Sequence, residues 1–178
     1  MSSNHPPPRA HLVPRGRAGG GMRAIGRIRT PFGRGDALPA PGRAGAARGV
    51  VLVRRRFAPG LKDIEGFDRL WLMYRVPSAG SVPLLVSPDG SGEAHGVFAT
   101  RVRRRPGRIA FSCVKLFRRR GSRLWVEGVD MLNNARLLDI QPYVPDLDAF
   151  KTSWAGWMEH VPARVGRHPL RAATWRVS

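Results

Sequence analysis

Five arginines crowd one short connection between two apolar runs. Arg101, Arg103, Arg104, Arg105 and Arg108 lie between Gly96-Val97-Phe98-Ala99-Thr100 and Ile109-Ala110-Phe111-Ser112-Cys113-Val114-Lys115-Leu116. A two-residue turn would join neighbouring strands without bringing like charges together, so a loop of this composition calls for an anion. Arg101 and Arg105, near the strand ends and beside Pro106, are the candidates to grip it, because the guanidinium fork matches carboxylate and phosphate oxygens. Arg103 and Arg104 read equally well as the solvated tip of a hairpin. Other chemistry is poorly provided for. There are no paired cysteines and no His-x-x-x-His, so no metal centre is expected, and no Gly-x-Gly-x-x-Gly follows a strand, which argues against a Rossmann cofactor site. Cys113 is the single cysteine; it cannot form an internal disulfide and reads as a small core residue.

The elements that must carry this loop are short strands. A chain of 178 residues with 42% hydrophobic content holds one domain with a real core. Alternation predicts a first strand within Ala24-Ile25-Gly26-Arg27-Ile28-Arg29, closed by Pro31, and a second at Gly49-Val50-Val51-Leu52-Val53. Between them, residues 33–49 form a Gly, Pro and Arg-rich loop of a length that usually has a task. Phe57 to Glu65 reads as a short helix or turn. Gly66 to Tyr74 reads as a buried strand with Trp71 in the core. Val97-Phe98-Ala99 and Ile109 to Leu116 read as the strands flanking the arginine loop, and Arg118-Arg119-Arg120-Gly121 as a hairpin tip. Strands at 124–130 and 137–140 bracket a turn at Asn133-Asn134, a residue type that tolerates the left-handed region. Asp146, Asp148 and the Trp154/Trp157 pair point to a short capped helix and a tail in which Trp175 also takes part. The expectation is a mainly β, single-domain β-barrel over residues 22–148, with a C-terminal extension, 149–178, packed on the barrel or on a second subunit.

Charge indicates a partner. The net charge is +19, and arginines outnumber lysines 28 to 3, a bias that a GC-rich genome also produces. Residues 1–56 hold 12 basic and 1 acidic residue, which leaves +8 of the +19 for the remainder. A basic surface attracts nucleic acid through counterion release. Residues 1–21 have almost no large apolar side chains and should be disordered. His11-Leu12-Val13-Pro14-Arg15-Gly16 resembles a thrombin-type linker, which would make Met22 the natural start; a native basic tail is the alternative. No apolar run approaches the roughly eighteen residues of a membrane span, and no signal-peptide core is present, so a cytoplasmic protein with no membrane contact is expected.

The segments Gly96-Val97-Phe98-Ala99-Thr100-Arg101, Arg105-Pro106 with Ile109, Ser112 and Val114-Lys115-Leu116, and Gly128-Val129-Asp130 through Asp139-Ile140-Gln141-Pro142-Tyr143-Val144-Pro145 resemble the TrmO/YaeB family, also called the TsaA-like domain. Ala24-Ile25-Gly26-Arg27-Ile28 and Gly66-Phe67-Asp68-Arg69-Leu70-Trp71-Leu72 add to the likeness, although Arg69 stands where the family has His. The resemblance implies a non-Rossmann β-barrel that works as a homodimer with S-adenosylmethionine near the subunit interface. It implies methylation of N6 of the threonylcarbamoyl-adenosine beside the anticodon of tRNA. Carried over position by position, the implied cofactor contacts are Pro39, Ala40, Arg101, Phe111 and the turn Leu132-Asn133-Asn134-Ala135, with Arg101 and Arg105 gripping cofactor or RNA.

Two departures accompany the likeness. The family's Pro-Arg-Gln falls on Leu38, Pro39 and Ala40, and its Arg-Ser-Pro-x-Arg-Pro-Asn-Pro-Ile-Gly falls on Arg101 to Ala110, so a hydroxyl and amide side chains are lost. Three functions follow for test: the tRNA methyltransferase, a cofactor-binding relative with another methyl acceptor, and a basic RNA-binding barrel without chemistry.

Overall fold

The computed structural model describes residues 22–39, 45–77, 80–88, 93–151 and 154–159. Ala40, residues 1–21 and Trp175, each with an expectation above, lie outside them. Eight strands are present among the described residues: β1 (Gly26–Arg29), β2 (Arg48–Val53), β3 (Arg69–Arg75), β4 (Leu85–Val86), β5 (His95–Gly96), β6 (Ile109–Arg120), β7 (Arg123–Glu127) and β8 (Ala135–Pro142). Six of them close into an antiparallel barrel in the order β1-β2-β7-β6-β3-β8, while β4 and β5 form a separate two-stranded ribbon. The mainly β barrel read from the sequence is the fold observed.

Alternation builds the barrel. In β3 the side chains of Leu70, Leu72 and Tyr74 are buried, while Arg69, Trp71, Met73 and Arg75 face out. The same two-residue rhythm turns Ala110, Ser112, Val114 and Leu116 of β6 inward. Ile28, Val51, Leu124, Val126 and Leu137 complete an interior with no exposure to water, each contributing about 1.5–3 kcal/mol. Gly26 and Gly49 let β1 and β2 approach closely. A Cβ at Gly26 would run into the Leu52 carbonyl, and one at Gly49 would lie 2.6 Å from the Arg29 carbonyl oxygen.

The strands are strongly staggered. Followed from partner to partner, the pairing runs Ile109, Arg75, Arg136, Arg27, Leu52, Arg123, Arg120, and so returns to β6 far from its starting point. Such stagger tilts the strands and brings one barrel end under the loops that follow β1, β5 and β7.

Several local expectations are corrected. Val97–Ala99 is a 3₁₀ turn, not a strand. The Arg105 Nη1 group donates to the carbonyls of Val97 and Thr100, at 3.0 and 2.8 Å, and the Thr100 hydroxyl also donates to Val97. Side chains thus take the acceptors that a neighbouring strand would have used. Trp71 and Cys113 are cross-strand neighbours on the outer face and only half-buried, because the register points both away from the core. Burial still pushes the Cys113 thiol up, with Arg69 pulling the other way. Arg118 to Arg120 belong to β6, and the hairpin tip is Gly121-Ser122, where Gly121 has φ 59°. Phe57 to Glu65 is covered by two 3₁₀ segments, Arg55–Leu61 and Ile64–Gly66.

After β8, α1 (Pro145–Asp148) begins on a proline, and Val144 N–H donates to Asp148. Trp157 lies in a 3₁₀ turn, Gly156–Glu159; its indole N–H donates to the Ala99 carbonyl at 2.8 Å and its ring stacks on His95 at 3.9 Å.

Candidate active site

The outer faces of β3, β6 and β8 meet in rows set by register. Phe111, Met73 and Asp139 form one row; Cys113, Trp71 and Gln141 form the next. The arginine loop, residues 100–108, stands over the end of these rows and turns them into a cleft of about 460 Å³. Its lining combines apolar surface from Met73, Ile109 and Phe111 with polar groups from Arg101, Asp139 and Gln141. A cleft of this size with a few placed polar groups suits a nucleoside-sized ligand. Arg101 is exposed and makes no ion pair with a described residue, whereas Phe111 is half exposed.

Directly behind the cleft, on the inner side of the same strands, lies a polar cluster. The Ser112 hydroxyl donates to the Asp130 carboxylate and lies 3.2 Å from Tyr74 Oη, and Tyr74 Oη donates to the same carboxylate at 3.5 Å. All three side chains are buried. Burial, then the neighbouring Asp130 charge, hold the Tyr74 phenol above its ordinary value, so it is a neutral donor at every physiological pH. Arg103 reaches in from the loop: one Nη2 lies 3.6 Å from Asp130 and also donates to the Pro39 carbonyl. Its Nε–H is buried and meets no acceptor among the described residues. Arg103 is therefore no solvated hairpin tip. Arg104 is exposed and donates to the Ser81 carbonyl at 3.0 Å.

The profile of the tRNA-methyltransferase O N-terminal domain matches residues 27–149. The chain belongs to this family. It is 43% identical over 140 residues to a Pyrococcus abyssi protein named a probable S-adenosyl-L-methionine-binding protein, covering 77% of this chain and 75% of that one. A crystal structure of TrmO from Pseudomonas aeruginosa superposes with a TM-score of 0.63 at 31% identity, over 78% of this chain and 62% of that chain. A Rattus norvegicus tRNA (adenine(37)-N6)-methyltransferase is 28% identical over 116 residues, 64% of this chain and 25% of that protein. This TrmO-type chain thus spans less than two thirds of the solved structure and a quarter of the rat enzyme.

Within the TrmO-type barrel, the expected site residues fall into two groups at one end. Arg101, Arg105 and Phe111 line the cleft together. Arg105 also has a structural duty, since its guanidinium holds the 97–100 turn and lies 5.8 Å from the Phe98 ring. Pro39 and Leu132 to Ala135 do not line the cleft. The turn at 132–135 instead packs against the end of β1: Asn133 N–H donates to Phe32 at 2.7 Å, Asn134 N–H to Ile28 at 2.8 Å, and the Asn133 side chain accepts from Thr30 N–H. Asn134 has φ 68°, the left-handed geometry expected of the pair. Its amides are spent on the fold, so the turn offers carbonyls rather than N–H groups to a ligand. Among the described residues, Pro39 meets the cleft through Arg103.

Asp130 and Tyr74 have no site role in the sequence reading, and Arg103 has none beyond a share in the arginine loop. Polar side chains at inward positions of otherwise apolar strands, Tyr74 and Ser112, were the available signal. No group of three or more His, Cys, Asp or Glu suited to a metal occurs among the described residues.

Proposed function

We infer that the chain is an S-adenosylmethionine-dependent methyltransferase acting on tRNA, with the donor seated in the cleft beneath the arginine loop. The observation that carries this is a cleft of fitting volume lined by Arg101 and Phe111, an exposed cation without a counter-ion among the described residues and a half-exposed ring, in a barrel of this family. The rest of the lining fits the same cofactor. Phe111, Ile109 and Met73 offer an apolar wall to a purine, Asp139 offers acceptors to ribose hydroxyls, and Arg101 offers a fork to a carboxylate. Bound there, the cofactor supplies a methyl group already activated on a sulfonium. What is left to the chain is to hold donor and acceptor in line and to exclude water.

In this reading Arg101 pairs with the methionine carboxylate or an RNA phosphate. Arg105 fixes the turn from which Arg101 projects. Pro39 and the turn Leu132-Asn133-Asn134-Ala135 do not line the cleft and are given no cofactor contact in this reading. The acceptor is N6 of threonylcarbamoyl-adenosine beside the anticodon, a choice supported by the name of the rat relative and by the net charge of +19. The working unit is a cytoplasmic homodimer. Phe98, Phe150 and Trp154 expose between 74% and 82% of their surface, and apolar surface of that kind is what a second copy would cover. No helix among the described residues is long and apolar enough to cross a membrane. A different methyl acceptor is favoured by one feature, the apolar Val102 and the bare Gly107 where the family carries a hydroxyl and an amide.

The test is calorimetric titration of S-adenosylmethionine into the protein and into Arg101→Ala, followed by labelled-methyl transfer to tRNA lacking only this modification. Binding that weakens in the variant, with label entering the tRNA, is the expected result. Binding without transfer moves the acceptor elsewhere. A folded protein that binds no cofactor overturns the enzyme.

A further inference from the structure

Strands β1, β8 and β3 lie side by side, and their registers set Arg27 opposite Arg136 and Arg136 opposite Arg75. The residues next to them, Ile28, Leu137 and Tyr74, are buried, so the alternation of the strands points all three arginines outward. Like charges directly opposite one another destabilise a sheet. None of the three is paired with an acidic side chain among the described residues. The ladder brings the fold no ion pair among the described residues.

A second observation lies beside it. Arg27 and Arg136, with Arg23 and Arg54, line a hollow of about 300 Å³ that has no acidic residue in its wall. Four guanidinium groups around one concavity form a seat for phosphate oxygens. The ladder also leads to the cleft. Arg75 is the next outward residue of β3 after Met73 and is paired with Ile109, and both Met73 and Ile109 line the cleft.

We propose that Arg75, Arg136 and Arg27, continued by Arg54 and Arg23, form a track for the phosphate backbone of the RNA whose base is presented to the cleft. This rests on the tRNA reading above and adds the surface that carries the strand. With strands about 4.8 Å apart the ladder spans about 10 Å. It follows the curve of a closed barrel, and the same row of partners continues to Arg123 and Arg120 on the far strands. A flexible polyanion can follow such a curve. A flat anionic bilayer can touch only part of it, which favours RNA over lipid.

The experiment compares the full chain with the triple variant R27Q/R75Q/R136Q, using an unmodified tRNA transcript across a series of salt concentrations. Each lost phosphate contact lowers the slope of log K against log salt by about 0.7–0.9, so a drop of about 2.1–2.7 is expected for three. S-adenosylmethionine affinity should be unchanged, and the melting midpoint should be no lower than that of the parent. The single variant R136Q should lower the slope by about 0.7 and keeps the test open should the triple variant fold poorly. A triple variant that retains the parental slope overturns the track and leaves the tRNA reading standing. A parent that binds no tRNA overturns both. A parent that binds phosphatidylserine vesicles through these arginines, while tRNA binding ignores them, overturns the track in favour of a membrane.

Discussion

Strands β3 and β6 carry polar groups on both faces, and the two faces treat them differently. Inside, Tyr74, Ser112 and Asp130 bond to one another and face the Arg103 guanidinium, so every partner comes from the chain. Outside, Arg101, Asp139 and Gln141 surround an open cleft, and Arg101 has no counter-ion among the described residues. Buried polar groups stabilise only when satisfied, whereas groups left unsatisfied around a cavity are available to a ligand. Two arginines of one loop, Arg101 and Arg103, therefore belong to different classes. One should govern binding and the other should govern the fold.

The largest expected effect tests the inner face. Arg103→Met keeps the length of the side chain but removes the cation 3.6 Å from a carboxylate that is 1% exposed. Removing one partner of a buried pair costs about 3 kcal/mol, and such a loss should appear as a lower denaturant midpoint. Adding Asp130→Asn should restore most of it, because the second change removes the stranded charge. A loss that is additive over the two sites would separate Arg103 from Asp130 and undo the contrast drawn above. Asp130→Asn alone should cost less than Arg103→Met, since an arginine on a loop can turn toward water and a carboxylate at the barrel floor cannot.

Much of this fold was legible because period-2 alternation survives in a single sequence. β1, β2, β3, β6, β7 and β8 all stand on the apolar segments read as strands, though β6 runs on to Arg120 and β7 stops at Glu127, short of the expected Asp130. What could not be read depends on contacts between distant residues. Val97–Ala99 has strand-forming residues, yet it winds into a turn because Arg105, eight positions on from Val97, takes its carbonyl. Trp71 reads as core by residue type, and only the parity of β3 places it outside. The cleft needs the registers of three strands at once, and the Arg103 contact with Pro39 joins residues 64 positions apart. Arg101 and Phe111 were nameable because they sit on a continuous motif. Asp130 stands in the motif too, but its role comes from Ser112 and Tyr74 on two distant strands.

On the outer face the effect should be smaller and of another kind. Arg101→Ala should weaken S-adenosylmethionine about tenfold, or about 1.4 kcal/mol, while unfolding stays within about 0.5 kcal/mol of the parent. Paired measurements of affinity and denaturant midpoint on Arg101→Ala and Arg103→Met make the comparison sharp. If Arg101→Ala loses stability and keeps affinity, the assignment of the two arginines is reversed.

The smallest effect is also the one with a pH signature. Tyr74→Phe deletes a hydroxyl that lies 3.2 Å from the Ser112 hydroxyl and donates to Asp130 at 3.5 Å, which should cost about 1 kcal/mol at neutral pH. Burial holds the folded-state phenol above its ordinary value of 10.0, so the folded protein keeps this proton where the unfolded chain has released it. Below pH 10.0 both states carry the proton and the group adds no pH dependence; as pH rises from there toward the folded-state value, stability falls. Urea titrations of both proteins at pH 8 and pH 11 should therefore show the gap between parent and Tyr74→Phe closing as the solution becomes alkaline. A gap of constant size would mean that Tyr74 reaches water in the folded state, and the inner face would then be no more sealed than the outer one.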